Sequence, residues 1–172
     1  TGIGGFIGSA VALKLLQKGV EVHGLLRPDS SPNRIHPIRS QLQLLRAGMN
    51  DITTIKAYWD RFPPDIVAHL AWHAEPGKFW TASENLTCVA ESLALAKGLP
   101  SSCRRFVGAG TCAEYQWSEQ THCNEFQTAV NPATLYGTCK LSLFQMLQAW
   151  FKQQDRSFAW LRFFYLYGPG ED

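Results

Sequence analysis

The chain opens with glycine at every third position, Gly2-x-x-Gly5-x-x-Gly8, and runs straight into an apolar helical stretch over residues 7–18. Glycines at this spacing permit a tight turn, let a pyrophosphate approach the backbone, and let the following helix pack closely on a sheet. The helix N-terminus then presents free N–H donors to phosphate. A glycine triplet alone is a weak signal, since an ordinary strand–helix turn can carry one. The pattern behind it narrows the reading. Short apolar runs over residues 20–26, 41–46, 65–71, 104–108 and 157–165 alternate with helical stretches over 52–62, 81–98 and 132–154. Such alternation indicates βαβ units and a parallel sheet. Residues 28–37 and 112–131 read as loops. A strand should precede the glycine loop and lie at the centre of a doubly wound sheet. None does, so the strands starting at 20 and 65 are expected to flank a gap, and the chain is expected to be a fragment of a longer protein.

A length of 172 residues suits one domain. With 45% hydrophobic and only 17% charged residues, the chain buries surface rather than staying solvated, which excludes disorder. Sixteen Lys+Arg against fourteen Asp+Glu leave +2, too little field for nucleic-acid or membrane-surface binding. Residues 157–167 are apolar but contain Arg162, and fall far short of the roughly 20 residues a span needs. No signal-peptide pattern is visible. Cys88, Cys103, Cys112, Cys123 and Cys139 are odd in number and hold no CxxC pair. Reduced thiols in a cytoplasmic protein are therefore expected, with neither disulfides nor a metal site.

After the second predicted strand the chain reads Leu25-Leu26-Arg27-Pro28. An acidic residue there would favour NAD through the ribose hydroxyls. Arg27 instead suits a 2′-phosphate and tips the expectation toward NADP. A solvated surface arginine is the other reading, and Asp29 keeps NAD open.

Tyr136-Gly-Thr-Cys-Lys140 places two functional side chains four apart, on one face of a predicted helix. A free phenol ionises near ~10, too high for neutral-pH catalysis. An adjacent ammonium would stabilise the phenolate. Such a pair can move a proton while a nicotinamide moves a hydride. A buried Tyr beside a solvated Lys would show the same spacing. Gly108-Ala109-Gly110-Thr111 lies past the carboxyl end of a predicted strand, where open α/β sheets bind ligands. Thr111 there could hold a carbonyl or alcohol oxygen, or merely cap a turn.

Taken in order, the glycine triplet, His69-Leu70-Ala71, Thr111, Tyr136-x-x-x-Lys140 and the run from Arg162 through Tyr167-Gly168-Pro169 resemble the extended short-chain dehydrogenase/reductase family. Its nucleotide-sugar epimerases, dehydratases and 4-ketoreductases share this order, and the likeness covers nearly the whole chain. It implies an α/β Rossmann-type doubly wound parallel sheet, one NAD(P)-binding domain over residues 1–172, lacking the first strand and most of the C-terminal substrate lobe. It implies Tyr136 as acid–base, Lys140 as its activator and ribose ligand, and Thr111 as the hydroxyl partner. Gly2, Gly5, Phe6, Ile7 and Gly8 would meet the pyrophosphate. Leu70 and Ala71 would lie beside the cofactor, Asn85 near the nicotinamide, and Asp51 at the adenine. The implied partner is a nucleotide sugar, and the helix carrying Tyr136 often forms a homodimer interface in the resembling family.

Departures refine the expectation. The 4,6-dehydratases carry an Asp-Glu pair directly after the threonine. Here Cys112-Ala113 follow, and Glu114 comes one position late, so its side chain should point elsewhere. Trp72 replaces a small residue and Tyr165 an asparagine. The expected activity is an NAD(P)-dependent nucleotide-sugar epimerase or 4-ketoreductase. The alternatives are a non-catalytic NAD(P)-binding module or an inactive gene fragment. His69 reads as a hydrogen-bonded core histidine, and His73, Glu75 and Trp80 as a cleft-facing loop. Phe158, Trp160, Phe163 and Phe164 read as sheet packing, and Cys139 lies off the active face.

Overall fold

The computed structural model describes residues 1–117 and 122–171. In chain order these form α1 (Phe6–Gln17), β1 (His23–Leu26), β2 (Gln43–Arg46), α2 (Ile52–Arg61), β3 (Ile66–His69), α3 (Glu84–Lys97), β4 (Arg105–Thr111), α4 (Leu135–Gln153) and β5 (Ser157–Phe163). Short 3₁₀ segments cover Asn33–Gln41 and Cys112–Glu114.

Every strand pairing is parallel. β1 pairs with β2, and separately β3 pairs with β4 and β4 with β5. Between these two sheets lies a cleft of 670 Å³, walled by Val22, Gly24 and Leu25 on one side and Ile66, Val67 and Ala68 on the other. At its end the Thr1 ammonium donates to the Ala68 carbonyl at 2.7 Å. Burial lowers that amine to about 6.

The main core lies between the three-stranded sheet and α3 and α4. Leu95, Phe106, Leu143, Leu147 and Phe151 are fully buried there. Phe106, Phe151 and Phe158 stack with centroids 5.1 and 5.4 Å apart across Phe151. Each such side chain contributes roughly 1.5–3 kcal/mol by leaving water. A smaller core of Ile3, Val22, Leu26, Ile35, Ile38 and Leu42 closes the β1–β2 side.

Local chemistry sets the element ends. Asp51 accepts from Thr54 N and caps α2. Thr134 accepts from Gly137 N, so α4 begins at Leu135 rather than at Pro132 as the sequence suggests. Residues 28–37, read as loop, overlap the 3₁₀ segment instead, because Ile35 and Ile38 turn inward to the small core. β4 runs three residues past Gly108, where its glycines look like a turn. Trp160 of β5 explains them: a Cβ at Gly108 or Gly110 would strike its indole. Phe158 and Trp160 pack the sheet as expected, whereas Phe164 lies beyond β5 and is 45% exposed.

Candidate active site

The glycine loop presses on the carboxyl end of β3. Gly2 has φ +71°, and a Cβ there would lie 2.8 Å from the backbone of Leu70 and Ala71. A Cβ at Gly8 would strike the Gly2 carbonyl. Only glycine tolerates both conditions. Gly5 N donates to Gly2 O at 3.0 Å and closes the turn. Phe6 and Ile7 open α1, whose first turn has neither a side-chain cap nor an acidic residue. Its amides are thus available to an anion. The arrangement fits a dinucleotide pyrophosphate. Arg27 follows β1 directly and is exposed, with its Nε donating to Ser30 Oγ at 3.2 Å. Asp51 lies just past the end of β2, where its carboxylate caps α2.

His69 is a core residue, 3% exposed. Ser92 Oγ donates to Cys88 O, so His69 Nε2 must donate to Ser92 Oγ at 2.8 Å. Its Nδ1 then accepts from the Thr1 hydroxyl at 2.8 Å. The ring is held neutral by burial, with the Thr1 ammonium and Lys140 adding repulsion.

Tyr136 sits in the first turn of α4. Its amide donates to Trp80 O at 3.1 Å, and its ring is packed edge-on by Phe79, Trp80 and Trp72. Gly137 lets α4 approach this closely, since a Cβ there would strike Ala113 O. Thr111 ends β4, its Oγ1 accepting from Ala113 N at 3.2 Å, and its side chain opposes the upward shift that burial gives the phenol. Lys140, one turn on, is 4% exposed. Its Nζ donates to Ala109 O at 2.8 Å and lies 3.8 Å above the Trp72 ring. Burial lowers the amine to about 7, against the opposing pull of Glu114 and Cys88.

Lys140 makes its nearest contacts away from the Tyr136 ring. Lys140 Nζ is 6.0 Å from the Tyr136 ring centroid and is engaged by Ala109 and Trp72. The phenol is held above its ordinary value by burial and by Cys112 and Glu114, and it is the Thr111 side chain that opposes this. Asn85 also differs from expectation. Its Oδ1 accepts from Trp72 Nε1 at 2.8 Å, and its Nδ2 donates to Phe79 O and Ala82 O. It organises the loop that follows β3.

Two residues, read from the sequence only as departures from the family pattern, help build the site. Trp72 ties the Asn85 loop to Lys140, and an indole directly after a strand end was the available signal. Glu114 was expected to point away, yet it is fully buried and accepts from Thr111 N at 2.8 Å. Thr111-Cys-Ala-Glu114 is a capping-box pattern, S/T-x-x-E, and could have found it. Beside Thr111 opens a pocket of 180 Å³, lined by Trp80, Cys112, Ala113, Trp117, Ala133, Thr134 and Tyr165. The larger cleft between β1 and β3 lies away from Tyr136. Among the described residues no cluster could hold a metal, and no helix is long and apolar enough to cross a membrane.

The chain is 22% identical to UDP-glucose 4-epimerase of Thermotoga maritima, solved with UDP-glucose (TM-score 0.83), covering 99% of this chain and 56% of that one. It is 23% identical to the Thermus thermophilus UDP-glucose 4-epimerase solved with NAD (TM-score 0.84), again covering 99% and 56%. These likenesses show the Rossmann-type fold, and the chain spans about half the length of both proteins. A GDP-mannose 4,6-dehydratase of Sordaria araneosa is 40% identical over 73 residues, 41% of this chain and 13% of that protein. The family model for the NAD dependent epimerase/dehydratase family matches residues 1–172. With its glycine cradle and its Tyr136–Lys140 helix, the chain belongs to that family.

Proposed function

We propose that the protein carrying this chain is an NAD(P)-dependent nucleotide-sugar epimerase or 4-ketoreductase, with Tyr136, Thr111 and Lys140 at its reacting centre. The observation that carries this is the placement of Thr111 at the carboxyl end of β4 and of Tyr136 in the first turn of α4, with Lys140 buried one helical turn away. The bound nicotinamide would supply the hydride acceptor or donor. Tyr136 takes or returns the proton at a sugar oxygen, and the Thr111 hydroxyl donates to or accepts from the same oxygen. Lys140 uses one ammonium proton on Ala109 O and keeps two for ribose hydroxyls. The aromatic-walled 180 Å³ pocket beside Thr111 suits the apolar face of a hexose ring. UDP-sugars are the first substrates to test, since similar folds were solved with UDP-glucose.

Two observations favour this over a 4,6-dehydratase despite the local identity to one. Cys112 and Ala113 supply no acid after Thr111, and Glu114 is bound to Arg162. Arg27 supports NADP, while NAD is the cofactor in the similar Thermus structure.

The test supplies NAD+ and UDP-glucose and measures UDP-galactose, alongside NADPH oxidation with a 4-keto sugar nucleotide. Tyr136→Phe should lower turnover by about 10²–10⁴-fold while cofactor quenching of tryptophan emission persists. Full turnover in Tyr136→Phe would remove Tyr136 from the chemistry. Saturable cofactor binding without turnover in either assay would favour the non-catalytic module.

A further inference from the structure

Behind the Thr111–Tyr136 pair lies a buried charge that the proposed chemistry does not use. Glu114 has no exposed surface, and its partner Arg162 is 16% exposed at the side chain. Glu114 Oε1 accepts from Thr111 N at 2.8 Å and from Trp160 Nε1 at 2.9 Å. Its Oε2 accepts from Arg162 Nε at 2.7 Å. The Arg162 guanidinium lies 5.1 Å from the rings of both Tyr115 and Phe144. Gly110 leaves room for the carboxylate, since a Cβ there would lie 2.7 Å from Oε1.

A buried ion pair is a poor way to add stability, because desolvation offsets most of the attraction. A surface capping box needs only a glutamate at its third position and no arginine behind it. The arrangement found here does something more specific. It adds a side-chain tie between the backbone of Thr111 and β5, through Glu114 to Trp160 and Arg162, 46 and 48 residues beyond Glu114. Tyr136 is carried by α4, which packs against the same 112–114 turn closely enough that a Cβ at Gly137 would strike Ala113 O.

We propose that Glu114 is a positioning residue for Thr111 and Tyr136, with its carboxylate, braced by Arg162 and Trp160, fixing the Thr111 backbone at the end of β4. The proposal rests on the reading of Tyr136 and Thr111 as the reacting pair. Small displacements at a reacting centre are costly, on the order of 10²-fold in rate for ~1 Å. The groups that face the pair are known. Thr111, Cys112 and Glu114 face Tyr136, while Glu114, Cys88 and His69 face Lys140.

The test is a double-mutant cycle read on the ionisation of Tyr136, not on turnover. Phenolate absorbance of the chain minus that of its Tyr136→Phe variant isolates this one tyrosine. Thr111→Val removes the hydroxyl that opposes the phenol's upward shift, so the midpoint should move upward. In Glu114→Gln a single amide oxygen cannot serve both Thr111 and Arg162. The effect of Thr111→Val should then fall below about half its size in the parent chain. Arg162→Met, which removes the brace from the other side, should shrink it likewise. The same Thr111→Val effect in either folded background overturns the proposal. Failure of both variants to fold, seen as solvent-like tryptophan emission, also overturns it and assigns the pair to the fold alone. No sugar is needed, so a negative epimerisation assay and a lost coupling are separate results.

Discussion

Lys140 offers the sharpest quantitative prediction. Its amine is lowered from 10.5 to about 7 because burial penalises the charged form. In the unfolded chain it is solvated and keeps its ordinary value. Between pH 7 and 10.5 the unfolded state therefore binds a proton that the folded state does not. Folding stability must rise with pH across this window, by about 1.4 kcal/mol per pH unit at most. Below pH 7 both states are protonated and the full penalty remains. Carried over the whole window, the ceiling is ~5 kcal/mol. Lys140→Met keeps the stem of the side chain and removes the charge. Urea unfolding followed by tryptophan emission, on the parent chain and on Lys140→Met, gives the two stability curves. Subtraction cancels the alkaline titration of tyrosines and cysteines common to both. The parent chain should gain on Lys140→Met by roughly 3–4 kcal/mol between pH 7 and 10. Parallel curves would show that Lys140 titrates at its ordinary value, and the account of its burial would be wrong.

Other consequences are simpler. Phe151→Ala removes the middle ring of the Phe106–Phe151–Phe158 stack, 1% exposed, and should cost about 3–5 kcal/mol in urea unfolding. A loss below about 1 kcal/mol would mean that α4 and the sheet close over the cavity. Arg27→Ala should weaken NADPH binding roughly tenfold in fluorescence titrations and leave NADH unchanged. Equal loss for the two cofactors would show that Arg27 does not read a 2′-phosphate.

The helices and strands were legible wherever short-range rules govern. The alternation of apolar runs placed all five strands, and the glycine spacing placed the turn into α1. Misreadings fell where a distant residue overrides local preference. The strand reads as ending at Gly108, whereas β4 continues to Thr111 with Trp160 lying across Gly108 and Gly110. Residues 28–37 look like a surface loop until Ile35, within the 3₁₀ segment Asn33–Gln41, finds the smaller core. Asn85 looks like a cofactor ligand until Trp72 and two carbonyls saturate its amide.

The candidate site divides in the same way. By itself the sequence determined that Tyr136 and Lys140 share a helical face, because i and i+4 do so in any α-helix. It also determined that Gly2 and Gly8 could form a cradle, because only glycine accepts that backbone. Tertiary structure decided where the charges point. Lys140 meets Ala109 across 31 residues and Arg162 meets Glu114 across 48. Such pairings depend on how helices and strands close on one another. The same side chains in a different closure would have different partners, ionise at different pH, and perform different work.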